Sequence, residues 1–352
     1  MVYPAFWRDK RVLVTGHTGF KGGWLSLWLQ NMGATVKGLS LEPSSEPNLF
    51  LAAKVGHNME HQVQDIRDFE AVARSIRTYR PEIVFHLAAQ PLVRLSYEEP
   101  VATYATNVMG TVHVLEACRQ AGSVMAVVNV TTDKCYENRG WFWGYREVDS
   151  LGGHDPYSNS KACAELATDS YRRAFLSQSG IATATARAGN VIGGGDWADD
   201  RLVPDCLRAL DRGVPIRVRY PRATRPWQHV LDPLSGYLVL AERLFVDGPI
   251  YAEPWNFGPQ EEFALPVQQI VQMLCETWGG NASWEIEAGE HPHEAMQLKL
   301  DISKARHRLG WQPRWAIDTA VEKVVGWHQA WLGGADMHSY CLAQIAEYQE
   351  SL

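Results

Sequence analysis

The chain has 352 residues, of which 46% are hydrophobic and 21% charged, with a formal net charge of −7. Such a length and composition support a sizeable buried core in one or two domains without metals or cross-links, and they exclude a disordered chain. The negative balance argues against nucleic acid and anionic lipid as partners, because both are held by clustered Lys and Arg.

In chain order, R-V-L-V-T (Arg11 to Thr15) is a short apolar β-prone run, followed by glycines and then by G-W-L-S-L-W-L-Q-N-M-G with helical apolar spacing. That is strand, tight turn, helix. Further strands are predicted in T-V-K-G-L-S (Thr35 to Ser40), near Q-V-Q-D-I, in E-I-V-F-H-L-A (Glu82 to Ala88), in A-V-V-N-V-T-T (Ala126 to Thr132) and in A-T-A-T-A-R-A-G-N-V, with helices between them. Strands alternating with helices predict a doubly wound parallel α/β sheet of Rossmann type, its crossovers right-handed. After Gly193 the rhythm breaks into loops, Pro and aromatic residues, with later helices near Pro266 to Trp278 and Asp318 to Leu332. The division expected is a dinucleotide-binding domain over 1–190, with returns near 228–250 and 303–332, and a smaller mixed α/β substrate lobe over 191–300.

The six cysteines (Cys118, Cys135, Cys163, Cys206, Cys275, Cys341) are scattered, with no C-x-x-C pair and no His cluster at zinc spacing. No metal is expected, and a reducing, cytoplasmic setting is. The start, M-V-Y-P-A-F-W-R, lacks an apolar signal core, and no apolar run reaches the roughly 18 residues that a membrane span needs.

Gly16, Gly19 and Gly22 form G-H-T-G-F-K-G, enclosing Thr18 and Phe20, between a strand and a helix. There, free backbone N–H groups and the helix dipole accommodate a pyrophosphate, and glycine permits the close approach. Lys21 is followed by glycine, so a Walker-type phosphate loop is excluded. Where an acidic residue at the end of the second strand would accept the adenosine ribose, this chain has Ser40, which leaves NAD against NADP open. H-L-A-A-Q, with Leu87, Ala88, Ala89 and Gln90, ends the fourth strand in small residues that let a cofactor pass close by.

Tyr157 and Lys161 in Y-S-N-S-K fall one helical turn apart on one face, and an ammonium beside a phenol favours the phenolate that a general base needs. Upstream, V-N-V-T-T-D-K is a strand ending in Thr132, Asp133 and Lys134, where ligands of open parallel sheets sit. Thr132 would bond the substrate hydroxyl that Tyr157 deprotonates; a helix cap or turn is the other reading of Thr132-Asp133.

Taken with W-G-Y-R-E, R-A-G-N-V-I-G-G-G-D-W and R-P-W-Q-H-V, these motifs resemble the extended short-chain dehydrogenases/reductases over nearly the whole chain, and within them the CDP-glucose 4,6-dehydratase subgroup. The G-x-x-G-x-x-G spacing is that family's. The resemblance implies NAD as cofactor and CDP-glucose as substrate, converted to a 4-keto-6-deoxy sugar toward O-antigen and other deoxysugars. It implies that Asp65-Ile66 contacts adenine, although a helix N-cap is an equal reading of Asp65, and that Thr106 lies at the cofactor. It also implies that Asn190, Arg201, Arg225 and Asn256 hold the nucleotide or diphosphate, where Arg suits phosphate and Asn256 could equally form a turn. A homodimer or homotetramer would pair helices around Val108 to Ala121 and Ser158 to Leu176.

The dTDP-glucose enzymes end the active-site strand Thr-Asp-Glu, whereas Lys134 stands at the glutamate position here. Lys134 would act as a neutral base at carbon 5 or, charged, as a stabiliser of the enolate; Asp133 would be the acid for the departing 6-hydroxyl. A 4-epimerase or simple reductase would share Tyr157 and Lys161 but need neither Asp133 nor Lys134, and a cofactor-sensing relative without turnover is the reading from a different class.

Overall fold

A computed structural model describes residues 1–287 and 297–351; residues 288–296 of the expected second lobe lie outside the described residues. Seven parallel strands form the central sheet: β1 (Arg11–Thr15), β2 (Thr35–Ser40), β3 (Glu60–Val63), β4 (Ile83–His86), β5 (Ala126–Val130), β6 (Ala182–Ala188) and β7 (Pro254–Phe257). Their order across the sheet is β7-β6-β5-β4-β1-β2-β3. Every residue of β4, β5 and β6 is buried, as expected of strands covered on both faces.

The long helices are α1 (Phe20–Asn31), α2 (Phe69–Tyr79), α3 (Gly110–Ala121), α4 (Pro156–Tyr171), α5 (Leu202–Asp211), α6 (Leu231–Asp247), α7 (Val267–Trp278), α8 (Ile317–Leu332) and α9 (Met337–Glu350). One layer of core carries Trp24, Trp28, Leu234, Tyr237, Trp255 and Trp327 beneath α1 and α6, and the opposite layer packs Val72, Ile76, Val114 and Leu115 of α2 and α3 on Leu13, Val84 and Val127. A third cluster joins α5, α7 and α8 through Leu207, Ile270, Leu274 and Val321. Around it lie the short strand pairs Ile216–Val218 with Trp284–Ile286 and Thr224–Pro226 with Ala264–Pro266.

β1 and β2 fall on the expected residues, β4, β5 and β6 are shorter than expected, and β3 begins two residues before the expected Q-V-Q-D-I and ends inside it. Several elements were not foreseen, among them helix α5 and the two short strand pairs after Gly193. W-N-F-G, read as a turn or nucleotide contact, is the edge strand β7, paired with β6 from Pro254↔Thr185 to Phe257↔Ala188. The terminal helix α9 packs on the early sheet, Tyr348 against Trp28 at 5.7 Å. All six cysteines are free, and among the described residues no helix is long and apolar enough to cross a membrane and no metal-ligand cluster occurs.

Three histidines are buried neutral. Burial, reinforced by His61, Lys161 and Lys323 respectively, pushes His17, His86 and His229 down to about 3. Their folded values lie below the unfolded value, so the unfolded chain binds more protons between about pH 6.5 and 3. Stability should therefore fall with acidification through that window, by up to about 1.4 kcal/mol per pH unit for each histidine. Urea melts at pH 7, 6 and 5 measure it; a flat profile excludes the buried neutral state.

Candidate active site

The strand order places a topological switch between β1 and β4, whose register pairs Thr15 with His86. Ligands of open α/β sheets bind in the crevice that opens there. Thr15 Oγ1 meets His86 Nδ1 at 2.7 Å and accepts the N–H groups of Leu87 and Ala88, each at 3.1 Å, which pins the start of the second loop beside the glycine turn.

Gly16 adopts φ +79°, and a Cβ there would stand 2.7 Å from the Ala88 nitrogen; at Gly22 a Cβ would strike the Gly16 carbonyl oxygen. Both glycines are required by the turn itself. Gly19 differs: its backbone is extended (φ −83°, ψ 170°) and a Cβ would meet only the Gly16 oxygen at 3.4 Å. Gly19 is also the N-cap of α1, so the bare space over it faces unpaired N–H groups, a cradle that fits a pyrophosphate.

A cleft of about 1720 Å³ runs from this turn past the ends of β5 and β6 to the strand Ile216–Val218. Gly16, Phe20, Gly22, Leu87 and Ala89 line its cofactor end; Thr132, Asp133, Lys134, Tyr157 and Lys161 line its middle; Asn190, Arg201 and Arg225 line its far side. Of the other predicted cofactor residues, Gly19 and Ala88 belong to the turn itself, and Thr18, Asp65, Ile66, Gln90 and Thr106 do not line the cleft. The Thr18 hydroxyl is paired with Ser40 Oγ at 2.8 Å and bonds the Leu41 carbonyl at 2.9 Å, tying the glycine turn to β2. The Gln90 amide is used by Leu92 and Thr103, and Thr106 lies in the helical turn preceding α3. Asp65 accepts Arg67 Nη2 at 2.6 Å, and Ile66 is buried in the core beneath Gly110; the N-cap of α2 is Asp68, so the capping alternative for Asp65 falls.

Asn256 is a correction. It is fully buried, its Oδ1 accepts Tyr136 OH at 2.7 Å, and its Nδ2 donates to the Tyr145 and Asp301 carbonyls at 2.8 and 3.1 Å. Fully buried, outside the cleft wall and with both amide hydrogens donated inside the fold, it is not placed to meet a nucleotide.

Tyr157 and Lys161 ride on α4, started by Pro156 and capped by the Asp155 carboxylate, which accepts Ser158 N–H at 2.9 Å. Thr132 both lines the cleft and caps the short turn Asp133–Cys135, accepting the Lys134 N–H at 3.3 Å, so the cap and the site are one residue. Asp133 is 2% exposed; Oδ1 accepts the Thr132 hydroxyl at 3.2 Å, and Oδ2 is buried with no partner in the protein. Burial pushes its carboxyl up, against the pull of Lys134, Thr132, Arg225 and Lys21. A buried, half-satisfied carboxyl of raised pKa is suited to hold a proton.

The sequence led us to expect Tyr157 lowered by Lys161. Instead burial pushes the phenol up to about 12, with the Thr132 hydroxyl and Arg201 pulling down and Asp133 pushing up. Lys161 donates to the Val130 carbonyl at 3.2 Å, and burial, countered by Glu165, brings its ammonium down to about 8. In the protein alone, burial thus favours the protonated phenol, an effect that a further positive charge in the cleft would oppose.

Reading the sequence missed several residues. Lys21 lies in the cleft wall, lowered to about 8 by burial, a lysine in the glycine turn being the signal available. Arg208, Arg212, Arg217 and Arg219 line the far end, scattered through a region of no recognisable motif.

Residues 13–324 match the family model described as GDP-mannose 4,6 dehydratase. The chain belongs to that family, within the extended short-chain dehydrogenases/reductases. Among members of the family it is 53% identical to the CDP-glucose 4,6-dehydratase of Salmonella typhimurium, over 100% of this chain and 99% of that one. It is 27% identical to a dTDP-glucose 4,6-dehydratase of Xanthomonas campestris pv. campestris, over 95% and 98%. The fold is that of solved relatives: UDP-glucose 4-epimerase of Thermotoga maritima superposes with a TM-score of 0.81 at 23% identity, covering 92% of this chain and 99% of that one. The dTDP-glucose 4,6-dehydratase of Bacillus anthracis, in complex with NAD, gives 0.76 at 20% identity, covering 91% and 97%.

Proposed function

We propose that the protein is an NAD-dependent CDP-glucose 4,6-dehydratase, converting CDP-glucose to CDP-4-keto-6-deoxy-glucose and water. The observation that carries this reading is one cleft wall holding both a Tyr157/Lys161 pair and a strand end with Asp133 and Lys134, beside full-length 53% identity to an enzyme of that name. An epimerase or simple reductase has no use for Asp133 and Lys134.

NAD, when bound, would supply the acceptor for the carbon 4 hydride and the donor of that hydride to carbon 6, and its positively charged ring would favour the Tyr157 phenolate. Gly16, Gly19 and Gly22 would hold its pyrophosphate, with Leu87, Ala88 and Ala89 alongside. Tyr157 accepts the 4-hydroxyl proton while Thr132 bonds that oxygen. The resulting ketone acidifies carbon 5, where Lys134 would remove the proton or stabilise the enolate. Asp133 would give its proton to the 6-hydroxyl leaving as water, a proton would return to carbon 5 as carbon 6 receives the hydride, and the proton held by Tyr157 would make good the one Asp133 gave. Arg201 and Arg225 suit the diphosphate, whose charge the rest of the acidic chain would repel.

The deciding test incubates CDP-, dTDP-, UDP- and GDP-glucose with enzyme and NAD and detects the 4-keto-6-deoxy product; turnover is expected with the CDP sugar first. Because the space over Gly19 is open, Gly19→Val should fold yet lose NAD binding, by titration, at least about 100-fold, since side-chain atoms would occupy the cradle. Unchanged NAD affinity overturns the cradle.

A homodimer through α3 and α4 is part of this reading, supported by exposed Met109, Leu166 and Phe175 on and around these helices. Sedimentation should give a dimer or tetramer; monomer alone at micromolar concentration refutes it. A cytoplasmic location suits six free cysteines, and the product class suits O-antigen deoxysugar supply.

A further inference from the structure

Behind the cleft lies an ion pair that the chemistry above does not use. Glu165, on α4 one turn beyond Lys161, and Arg187, on β6, have side chains 2% exposed each and meet at 2.7 Å. Glu165 accepts Arg187 Nε at 2.9 Å, the Thr131 hydroxyl at 2.5 Å and the Thr185 hydroxyl at 2.7 Å. Arg187 Nη1 donates to Tyr136 OH at 2.9 Å, and its guanidinium lies 4.9 Å from the centre of the Tyr136 ring. Tyr136 in turn donates to Asn256 on β7.

Thr131 immediately precedes Thr132, and Tyr136 follows the turn that carries Asp133 and Lys134. The reactive segment is therefore gripped at both ends by one buried pair whose acid stands on the helix of Tyr157 and Lys161. We propose that Glu165 and Arg187 are positioning residues, which together set Thr132, Asp133 and Lys134 in register with Tyr157 and Lys161.

A merely structural pair would have no directional link to the site, but Glu165 has one. It is the first of the charges that keep Lys161 protonated against burial. The other titratable groups acting with Lys161 are Cys135, whose thiol burial pushes up, His86, held neutral by burial, and Lys21 on α1. None of these supplies a fixed negative charge.

This inference rests on the activity proposed above, and its test separates the two. Glu165→Gln combined with Arg187→Met removes both charges, leaves an amide oxygen for Thr131 and strands no buried ion, so the fold should persist. Expected are NAD affinity and KM within threefold of wild type and a kcat lower by about 100-fold, the order that a misplacement of about 1 Å produces. The Lys161 titration, followed by NMR of labelled lysine, and the alkaline limb of kcat should both move below the value of about 8. Arg187→Lys, which keeps the charge, should recover part of kcat. A double variant with wild-type kcat, or one whose loss follows the unfolded fraction while Lys161 titrates as before, overturns the positioning role. If wild type fails to turn over CDP-glucose, the activity falls, and the Lys161 titration still decides the pair: an unmoved titration sinks it.

Discussion

Tyr157→Phe should lower kcat by about 10³ to 10⁴-fold, the upper range for removing a general base, while leaving NAD binding intact. The phenol is the acidic hydroxyl that the fold sets on α4 next to the Thr132 hydroxyl, in the wall of the cleft. Burial pushes this phenol up to about 12. The variant should fail at oxidation: mixed with NAD and CDP-glucose it should show almost no reduced cofactor by absorbance in a single turnover. Rapid appearance of reduced cofactor in Tyr157→Phe would assign the proton transfer to another group.

Lys134→Ala should lose product formation by about 10²-fold or more but fail later, after oxidation. Lys134 lines the cleft beside Asp133 rather than on α4, so its removal leaves the Tyr157/Lys161 pair in place. Reduced cofactor should accumulate on mixing, and exchange of the carbon 5 hydrogen with deuterated solvent should nearly cease if the lysine is the base. Retained rapid exchange in Lys134→Ala shows that the lysine is not the base and leaves proton removal to Asp133 or a water. With wild type, deuterium placed at carbon 4 should appear at carbon 6 without loss to solvent.

Much of this was determined by local sequence. Five-residue β-branched runs ending in glycine or in T-T-D-K read as buried strands, and Gly16 and Gly22 are demanded by a turn so close that a Cβ has no place. The helical spacing of Tyr157 and Lys161 follows from the period of the helix, which Pro156 and Asp155 start at a defined residue. Tertiary structure decided the rest, because burial and long-range partners have no local signature. W-N-F-G reads as a turn, yet β6 recruits it as an edge strand, and Asn256 then spends its amide on Tyr136, Tyr145 and Asp301 instead of on a nucleotide. The phenol of Tyr157 was expected low beside a lysine and is high, because desolvation outweighs its neighbours once α4 packs on β5. Glu165 and Arg187, unremarkable apart in the chain, become one buried pair only when α4 lies across β6. Periodicity reports which face of an element is apolar; which charge ends up opposite which, and how dry the space between them is, depends on packing between segments distant in sequence.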